Sequence, residues 1–463
     1  MSNNHFRPRG AKSLATPART FAYEVLKTIQ ERSLFLSDVF NDIAKTKELS
    51  VEDKAFARLL CVGVISTEGV LDDLINKVLS SPKDIKNDVR IALRISTYEL
   101  FFLNKSSHAA VDQGVELVRF VSPKATGLAN FALRRLCDLQ EKFPFGKSEE
   151  NFEVAAYKQG FPAWLAARFK KDMGKRNALS LMEFANKPAP LFVMVNACRV
   201  DTKKTIELLL ARGIKLIPVP PLCGKPYFLS FVFENRLAVS DEAVMRLIDE
   251  GALVISDLSA QTIATRVLPD VMPQRFLEIG AGHGTKTLML QTAALAHYGK
   301  QMKLDTIEVS PKKNKELTAR AKRAHVEINK QFVLDATDLS AIPNSCYDAV
   351  FIDAPCTGVG TLRRHPEIRW RLKPEDSTSL AKTGLKILRE ASQKVFKGGQ
   401  IAYATCSCFE EENDKVIKKF LRSPEGSLFE VVPLTDKGAG YFKSPLTENG
   451  ADMHFLAVLK RVK

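Results

Sequence analysis

Two cysteines, each ending what reads as a β-strand, are the residues of this chain best suited to covalent chemistry. One stands in Asp353-Ala354-Pro355-Cys356-Thr357-Gly358-Val359-Gly360 and the other in Tyr403-Ala404-Thr405-Cys406-Ser407. A thiolate is a strong nucleophile, whereas a lone strand cysteine reads more simply as a small core residue. Position favours chemistry here, because both lie where strands of an open α/β sheet present their ligand-binding ends. A glycine turn, Glu278-Ile279-Gly280-Ala281-Gly282-His283-Gly284-Thr285-Lys286, lies upstream between a strand and a helix. Its glycines at 280, 282 and 284 let the backbone turn sharply and approach a ligand. That spacing also fits a dinucleotide fold. Glu278 shifts the balance, since an acid there can take the amino group of a methionine-like ligand. Glu308, ending the next strand, suits a ribose diol through charge-assisted hydrogen bonds, and Asp335, after the third, suits an adenine amino group. The expected cofactor is therefore S-adenosylmethionine rather than a nicotinamide or flavin.

A methyl donor beside two thiols implies methylation of carbon 5 of a cytosine. That carbon is too weak a nucleophile until a thiolate adds at C6 and makes an enamine. Afterwards the C5 proton must leave and the thiol must be expelled, so two cysteines can divide attack from release. Asp353 suits the N3/N4 edge of the base, where it would stabilise charge as C6 is attacked. The charge of Lys286 would favour a nearby thiolate. Beyond the mobile-looking glycines 358 and 360 come Arg363, Arg364, His365, Arg369 and Arg371, with Trp370 among them. A solvated basic loop is the plain reading, and an RNA-phosphate clamp next to the chemistry is the functional one.

The elements that must position these residues read in three parts. Residues 17–142 carry apolar residues at helical spacing, as in Phe21-Ala22-Val25-Leu26-Ile29, and predict an all-α bundle. Ser50 before Val51-Glu52-Asp53 predicts an N-cap. Residues 143–160, with Pro144, Gly146, Ser148 and Gly160, read as a linker, and 161–250 as a small α+β RNA-binding module. From 251 to 463 strands alternate with helices: Arg275–Ile279, Leu304–Val309, Phe332–Leu334, Ala349–Asp353 and Gln400–Thr405, then a terminal pair Phe429–Val432 and His454–Leu459. The fold class is thus α/β, a doubly wound, Rossmann-like sheet of the class I methyltransferase kind behind a helical domain.

At 463 residues the chain exceeds one ordinary core. Its 68 Lys and Arg against 53 Asp and Glu leave a net charge of +15, which favours a polyanionic partner. The first sixteen residues form a basic arm, with Arg7, Arg9 and Lys12 and no acid. Eight cysteines without a CxxC pair fit reduced thiols in a cytoplasm and neither a disulfide scaffold nor a zinc ribbon. No apolar run suits a membrane span or a signal core. A cytoplasmic monomer without a metal or a membrane partner is expected.

These motifs resemble the RNA cytosine-C5 methyltransferase family, and within it the RsmB/Sun (Fmu)-type 16S ribosomal RNA enzymes. The run Gly358-Val359-Gly360-Thr361-Leu362-Arg363-Arg364-His365-Pro366-Glu367-Ile368-Arg369-Trp370 is specific to that group. Ser256-Asp257-Leu258-Ser259-Ala260-Gln261 is similar to its segment before the first strand. The helical part resembles a NusB-like RNA-binding domain through Arg19-x-x-Ala22, Arg94-x-x-x-Tyr98-Glu99-Leu100, His108-Ala109-Ala110-Val111 and Asn130-Phe131-Ala132-Leu133-Arg134-Arg135. The resemblance implies that Cys406 attacks, that Cys356 promotes release and that Asp353 contacts the base. Glu308, Asp335 and the turn 280–286 would hold the donor, and 16S ribosomal RNA or a small-subunit assembly intermediate would be the partner. Two departures stand out. The family turn usually reads Cys-Ala-Ala-Pro-Gly-Gly-Lys, of which Lys286 and one glycine remain, and Met194 precedes Val195-Asn196 where the family tends to have Arg. The same chemistry on transfer RNA is an alternative, as is a non-catalytic RNA-binding assembly factor. A redox or metal protein built on Cys406-x-Cys408 lacks partner ligands.

Overall fold

The computed structural model describes residues 14–32, 34–224, 230–434, 440–446 and 450–463, so Arg7, Arg9 and Lys12 of the expected arm lie outside the described residues. The chain forms two compact units, one of residues 1–187 with 362–372 and one of 188–361 with 373–463.

The first unit is helical. Its main helices are Pro17–Arg32, Leu36–Ala44, Val51–Val78, Asn87–Phe101, Ser107–Val121 and Thr126–Gln140. The apolar stripe beginning at Phe21 packs with Leu60, Leu93, Leu117 and Leu133 in one core, as helical periodicity requires. Ser50 caps as expected, its Oγ accepting from the Asp53 N–H at 3.0 Å. Two arginines of the NusB-like motifs are held inside the unit. Arg19 grips the buried Glu99 with Nε at 2.9 Å and Nη2 at 2.6 Å, and Arg94 grips Asp72 with Nε at 2.8 Å and Nη2 at 2.6 Å. Part of the expected linker is a helix, Phe152–Lys158, capped by Asn151. The helix Ala163–Asn186, kinked at Gly174, also belongs to this unit rather than to the α+β part.

The second unit holds two sheets. The smaller runs β2-β3-β1-β4, with β1 Phe192–Val195, β2 Leu216–Val219, β3 Ser230–Phe233 and β4 Leu253–Ile255. Asn196, at the end of β1, is a buried knot. Its Nδ2 donates to the carbonyls of Gly251 and Ala324, and its Oδ1 accepts from Cys198 N and Thr292 Oγ1. The larger sheet comprises β5 Phe276–Ile279, β6 Leu304–Ile307, β7 Lys330–Phe332, β8 Tyr347–Asp353, β9 Val395–Thr405, β10 Phe429–Val432, β11 Tyr441–Lys443 and β12 Phe455–Arg461. Its order is β10-β12-β9-β8-β5-β6-β7, with β11 on β12. Strands β5 to β9 run parallel and β12 antiparallel to β9. Every residue of β5 and β6 is buried, the signature of strands covered on both faces. The chain reverses direction across the sheet between β5 and β8, which is the switch point where such folds bind ligands.

Candidate active site

Four strand ends meet at the switch point. β5 leads into the glycine turn and the helix Thr285–Tyr298, whose first turn begins at Gly284 with φ 84°. Gly280 has φ 82°, and a Cβ there would lie 2.6 Å from the Asp353 carbonyl oxygen. Glycine is therefore required twice over, by the left-handed backbone and by the close approach of β8. The turn is pinned by the N–H groups of Gly280 and Ala281, which donate to the Ile307 carbonyl at 2.9 and 3.1 Å.

Glu278 is fully buried. Its Oε2 accepts from Thr287 Oγ1 at 2.7 Å, while Oε1 has no partner within the chain. Burial, with Asp353 nearby, pushes its carboxyl up to about 7 against the lowering effect of Thr287 and Lys286. An orphaned buried acceptor calls for an external donor, so Glu278 fits the ammonium of a methionine-like ligand. Glu308 is buried beside the turn, accepting from the Gly282 N–H and the Ser310 N–H at 2.9 Å each. Each oxygen keeps a second lone pair for a ribose hydroxyl. Asp335 is exposed past β7, its Oδ1 accepting from Thr337 N at 2.8 Å. His283 is exposed and paired with Glu316 at 2.5 Å, and Thr285 accepts from Arg320 at 2.7 Å.

β8 and β9 bring the thiols together. Asp353 is in register with Ala404, and the Ala354 N–H donates to the Ala404 carbonyl. Three residues beyond Asp353 and two beyond Ala404, the sulfurs of Cys356 and Cys406 lie 3.4 Å apart. Lys286 Nζ donates to Asp353 Oδ2 at 2.7 Å. Burial disfavours the ammonium, but the charge and hydrogen bond of Asp353 outweigh it and raise the lysine, and both cysteines lie within its electrostatic reach. The Cys356 thiol is raised well above its ordinary value by its hydrogen bond to Cys406, by burial, and by the charges of Cys406 and Glu412.

Sequence reasoning missed a second layer around the thiols. Glu412 and Asn413 are buried in the loop before the helix Asp414–Leu421. Glu412 accepts from Thr357 N at 2.9 Å and Thr357 Oγ1 at 2.8 Å. Asn413 accepts from Thr405 Oγ1 at 2.6 Å and donates to the Ser407 carbonyl at 2.8 Å. The acidic run Glu410-Glu411-Glu412 looks like a solvated helix start, and only its distance of six residues from Cys406 hinted otherwise. His454 was also missed. It is buried beside β9, and burial outweighs Asp257 and Asp353, while Lys286 adds to the lowering, so its imidazole falls to about 4. The neighbouring Met453 N–H donates to the Gly360 carbonyl, and the Gly360 N–H to the Cys406 carbonyl. A Cβ on Gly360 would stand 1.9 Å from the Met453 carbonyl oxygen, which is why glycine occupies it.

The basic loop corrects an expectation. Residues 362–372 pack with the helical unit, and Arg369 is fully buried there. Its Nη1 donates to the carbonyls of Ser66 at 3.0 Å and Gln159 at 3.4 Å and to Asn186 Oδ1 at 3.1 Å, with the guanidinium 4.0 Å from the Phe161 ring centre. Arg369 is therefore an internal strut and not a phosphate clamp, because its donors point into the fold. Trp370 Nε1 donates to the same Ser66 carbonyl at 3.0 Å. Arg371 is exposed but donates to the Leu34 carbonyl at 2.6 Å, and Arg363 donates to the Lys187 carbonyl at 2.9 Å. The His365 ring packs edge-on against Phe35, and Arg364 is half-buried.

Comparison with known proteins is consistent with this geometry. Residues 266–459 match the family model described as 16S rRNA methyltransferase RsmB/F. Residues 266–459 are an RsmB/F-type methyltransferase domain. Residues 16–138 match the NusB family, and 161–223 the ferredoxin-like domain of RsmF/B-like methyltransferases. The chain is 26% identical over 415 residues to the probable ribosomal RNA small subunit methyltransferase B of Bacillus subtilis strain 168, covering 88% of each. It is likewise 26% identical over 444 residues to ribosomal RNA small subunit methyltransferase B of Escherichia coli O6:K15:H31, covering 92% of this chain and 98% of the relative. Among solved structures it shares the fold of PH0851, with a TM-score of 0.74 at 22% identity over 97% of this chain and 100% of that one. A methyltransferase homolog protein from Pyrococcus horikoshii gives a TM-score of 0.54 at 18% identity over 67% and 98%. The protein is an S-adenosylmethionine-dependent RNA methyltransferase. Among the described residues no helix is long and apolar enough to cross a membrane.

Proposed function

We propose that this RsmB/F-type enzyme methylates carbon 5 of a cytosine in 16S ribosomal RNA through a covalent cysteine adduct. The observation that carries the reading is the pair of thiols 3.4 Å apart on adjacent strand ends, beside Lys286 and Asp353. The two relatives named above act, by their names, on small-subunit ribosomal RNA, which favours that substrate over transfer RNA.

S-adenosylmethionine, when bound, supplies an electrophilic methyl group at a sulfonium centre. Glu278 would receive its ammonium, Glu308 its ribose, Asp335 its adenine, and the turn 280–286 its backbone contacts. Cys406 attacks C6 of the cytosine as a thiolate, the displaced electron pair being taken up at N3 with a proton from solvent, and Asp353 accepts from the N4 amino group and so orients the base. Lys286 holds Asp353 and favours thiolate character nearby. After transfer to C5, a base from solvent takes the C5 proton, the C–H electron pair reforms the C5–C6 double bond and the Cys406 sulfur leaves as a thiolate, with Cys356 promoting that release. The target base must leave its stack to reach these groups. Arg363, Arg364, His365 and Arg371 remain candidates for RNA contact through their solvent-facing atoms.

The test is incubation of the purified protein with labelled S-adenosylmethionine and unmodified 16S and transfer RNAs, followed by mapping of the label. C5 label at one 16S cytosine is the expected result. Label in transfer RNA alone would replace the substrate. No label in either, with a folded protein, would favour an assembly factor.

A further inference from the structure

The two thiols are chemically alike, and their separation does not say which one attacks. The buried loop at 412–413 breaks the symmetry. Thr357 follows Cys356, and Ser407 follows Cys406. Thr357 Oγ1 and Ser407 Oγ lie 3.3 Å apart, so the two cysteine loops touch through their next residues as well. Glu412 binds the Cys356 side of this pair, with one carboxylate oxygen on the Thr357 N–H and the other on its hydroxyl. Asn413 binds the Cys406 side, through Thr405 and Ser407. A negative group is thus clamped beside one cysteine and a neutral amide beside the other. The Tyr403 hydroxyl, donating to the Glu412 carbonyl at 3.1 Å, fixes the clamp to β9.

We propose that Glu412 is a positioning residue that assigns the roles of the two cysteines: it locks the Cys356 loop through Thr357, and its charge makes Cys356 the proton-bearing member of the pair and Cys406 the nucleophile. The proposal rests on the cytosine-C5 reading for the chemistry, but its physical content concerns the free protein. The groups facing Cys356 are Cys406 just beyond β9, Glu412 from the following loop, Tyr403 within β9, and Lys286 with Asp353 from the donor side. Lys286 lies within electrostatic reach of both sulfurs, with the larger interaction toward Cys406, so its charge acts in the same sense as that of Glu412. The charge of Glu412 acts against ionisation of Cys356, because a like charge disfavours a second anion. A protonated Cys356 can then donate its S–H toward the Cys406 sulfur and, after methyl transfer, hydrogen-bond that sulfur as it leaves C6.

The test is alkylation of the full-length protein by iodoacetamide across pH, with mass spectrometry to locate the adduct, and it needs neither RNA nor donor. Cys356 is measured in a Cys406→Ser background with and without Glu412→Gln. Loss of the charge is expected to lower the midpoint of Cys356 alkylation by about one pH unit or more, hence about tenfold faster reaction below it. Glu412→Asp should return the midpoint toward the parent. An unchanged midpoint would overturn the proposal. So would an equal acceleration of Cys406 in the Cys356→Ser background, which marks general loosening. Thr357→Val, which deletes one anchor and keeps the charge, tests the same point should Glu412→Gln fail to fold. It is expected to hold the midpoint while lowering kcat for methyl transfer, and a fall in its midpoint would count against charge as the cause. If the midpoints behave as expected but no C5 methylation is found in RNA, the cytosine reading fails and the asymmetry of the thiols stands.

Discussion

Cys356 and Cys406 are fifty residues apart in the chain and 3.4 Å apart at the sulfurs. Parallel pairing of β8 with β9, in which Asp353 faces Ala404, makes this approach inevitable. On the mechanism proposed above, attack and release are thereby available side by side.

Replacement of either cysteine should separate those functions. Cys406→Ala is expected to lower methyl transfer by about 10³-fold or more with the fold intact. Cys356→Ala is expected to accumulate a protein–RNA adduct that survives denaturing electrophoresis. An adduct that needs Cys356 and forms without Cys406 would reverse the roles.

Donor binding should depend on pH through Glu278. Its carboxyl is raised from 4.5 to about 7, chiefly by burial, and must ionise to meet an ammonium. Affinity for S-adenosylmethionine is expected to strengthen as pH rises from about 6 to 8, with proton release on binding seen by calorimetry in buffers of different ionisation heat. Without donor the sign for stability is the opposite. A raised carboxyl contributes stability that is complete below 4.5 and lost as pH rises through about 7. Glu278→Gln should flatten both dependences and weaken donor binding. A slope that persists in the variant would assign it to another group.

Arg369 should matter to stability and not to the salt dependence of RNA binding. Arg369→Met removes the donor to Asn186 Oδ1 and one of two donors to each of the Ser66 and Gln159 carbonyls, which keep Trp370 Nε1 and Asn186 Nδ2, a cost of about 1–3 kcal/mol in urea denaturation. Gly69→Ala should act on the same packing, since its Cβ would lie 2.1 Å from Trp370 Cζ3. If a folded Arg369→Met instead showed a log–log salt slope shallower by about 0.9, Arg369 would be neutralising one RNA phosphate.

His454 should make the fold acid-labile. Its imidazole is lowered from 6.5 to about 4, so it contributes stability present above 6.5 and lost as pH falls through about 4, on the order of 3 kcal/mol. His454→Gln is expected to reduce the drop in denaturation midpoint between pH 7 and pH 4. An unchanged drop would place the acid sensitivity elsewhere.

By itself the sequence determined the order of helical bundle and α/β sheet, the glycine turn, and both cysteines at strand ends. These follow from periodicity, from turn residues and from strand termini, which are local properties. Ser50 as a cap and Gly280 as a turn residue were legible for that reason. Tertiary structure decided whatever depends on burial and on partners distant in the chain. Arg369 looks in sequence like any arginine of a basic loop, and only its 0% exposure among the carbonyls of Ser66 and Gln159 makes it a strut. Glu412 looks like part of a solvated acidic run until Thr357 is folded onto it. Within residues 143–160, which read as a linker, Phe152–Lys158 is a helix because Asn151 caps it and the kinked helix Ala163–Asn186 packs against it. A residue's charge is written in the chain, but the dielectric and the donors around that charge exist only once the strands are paired.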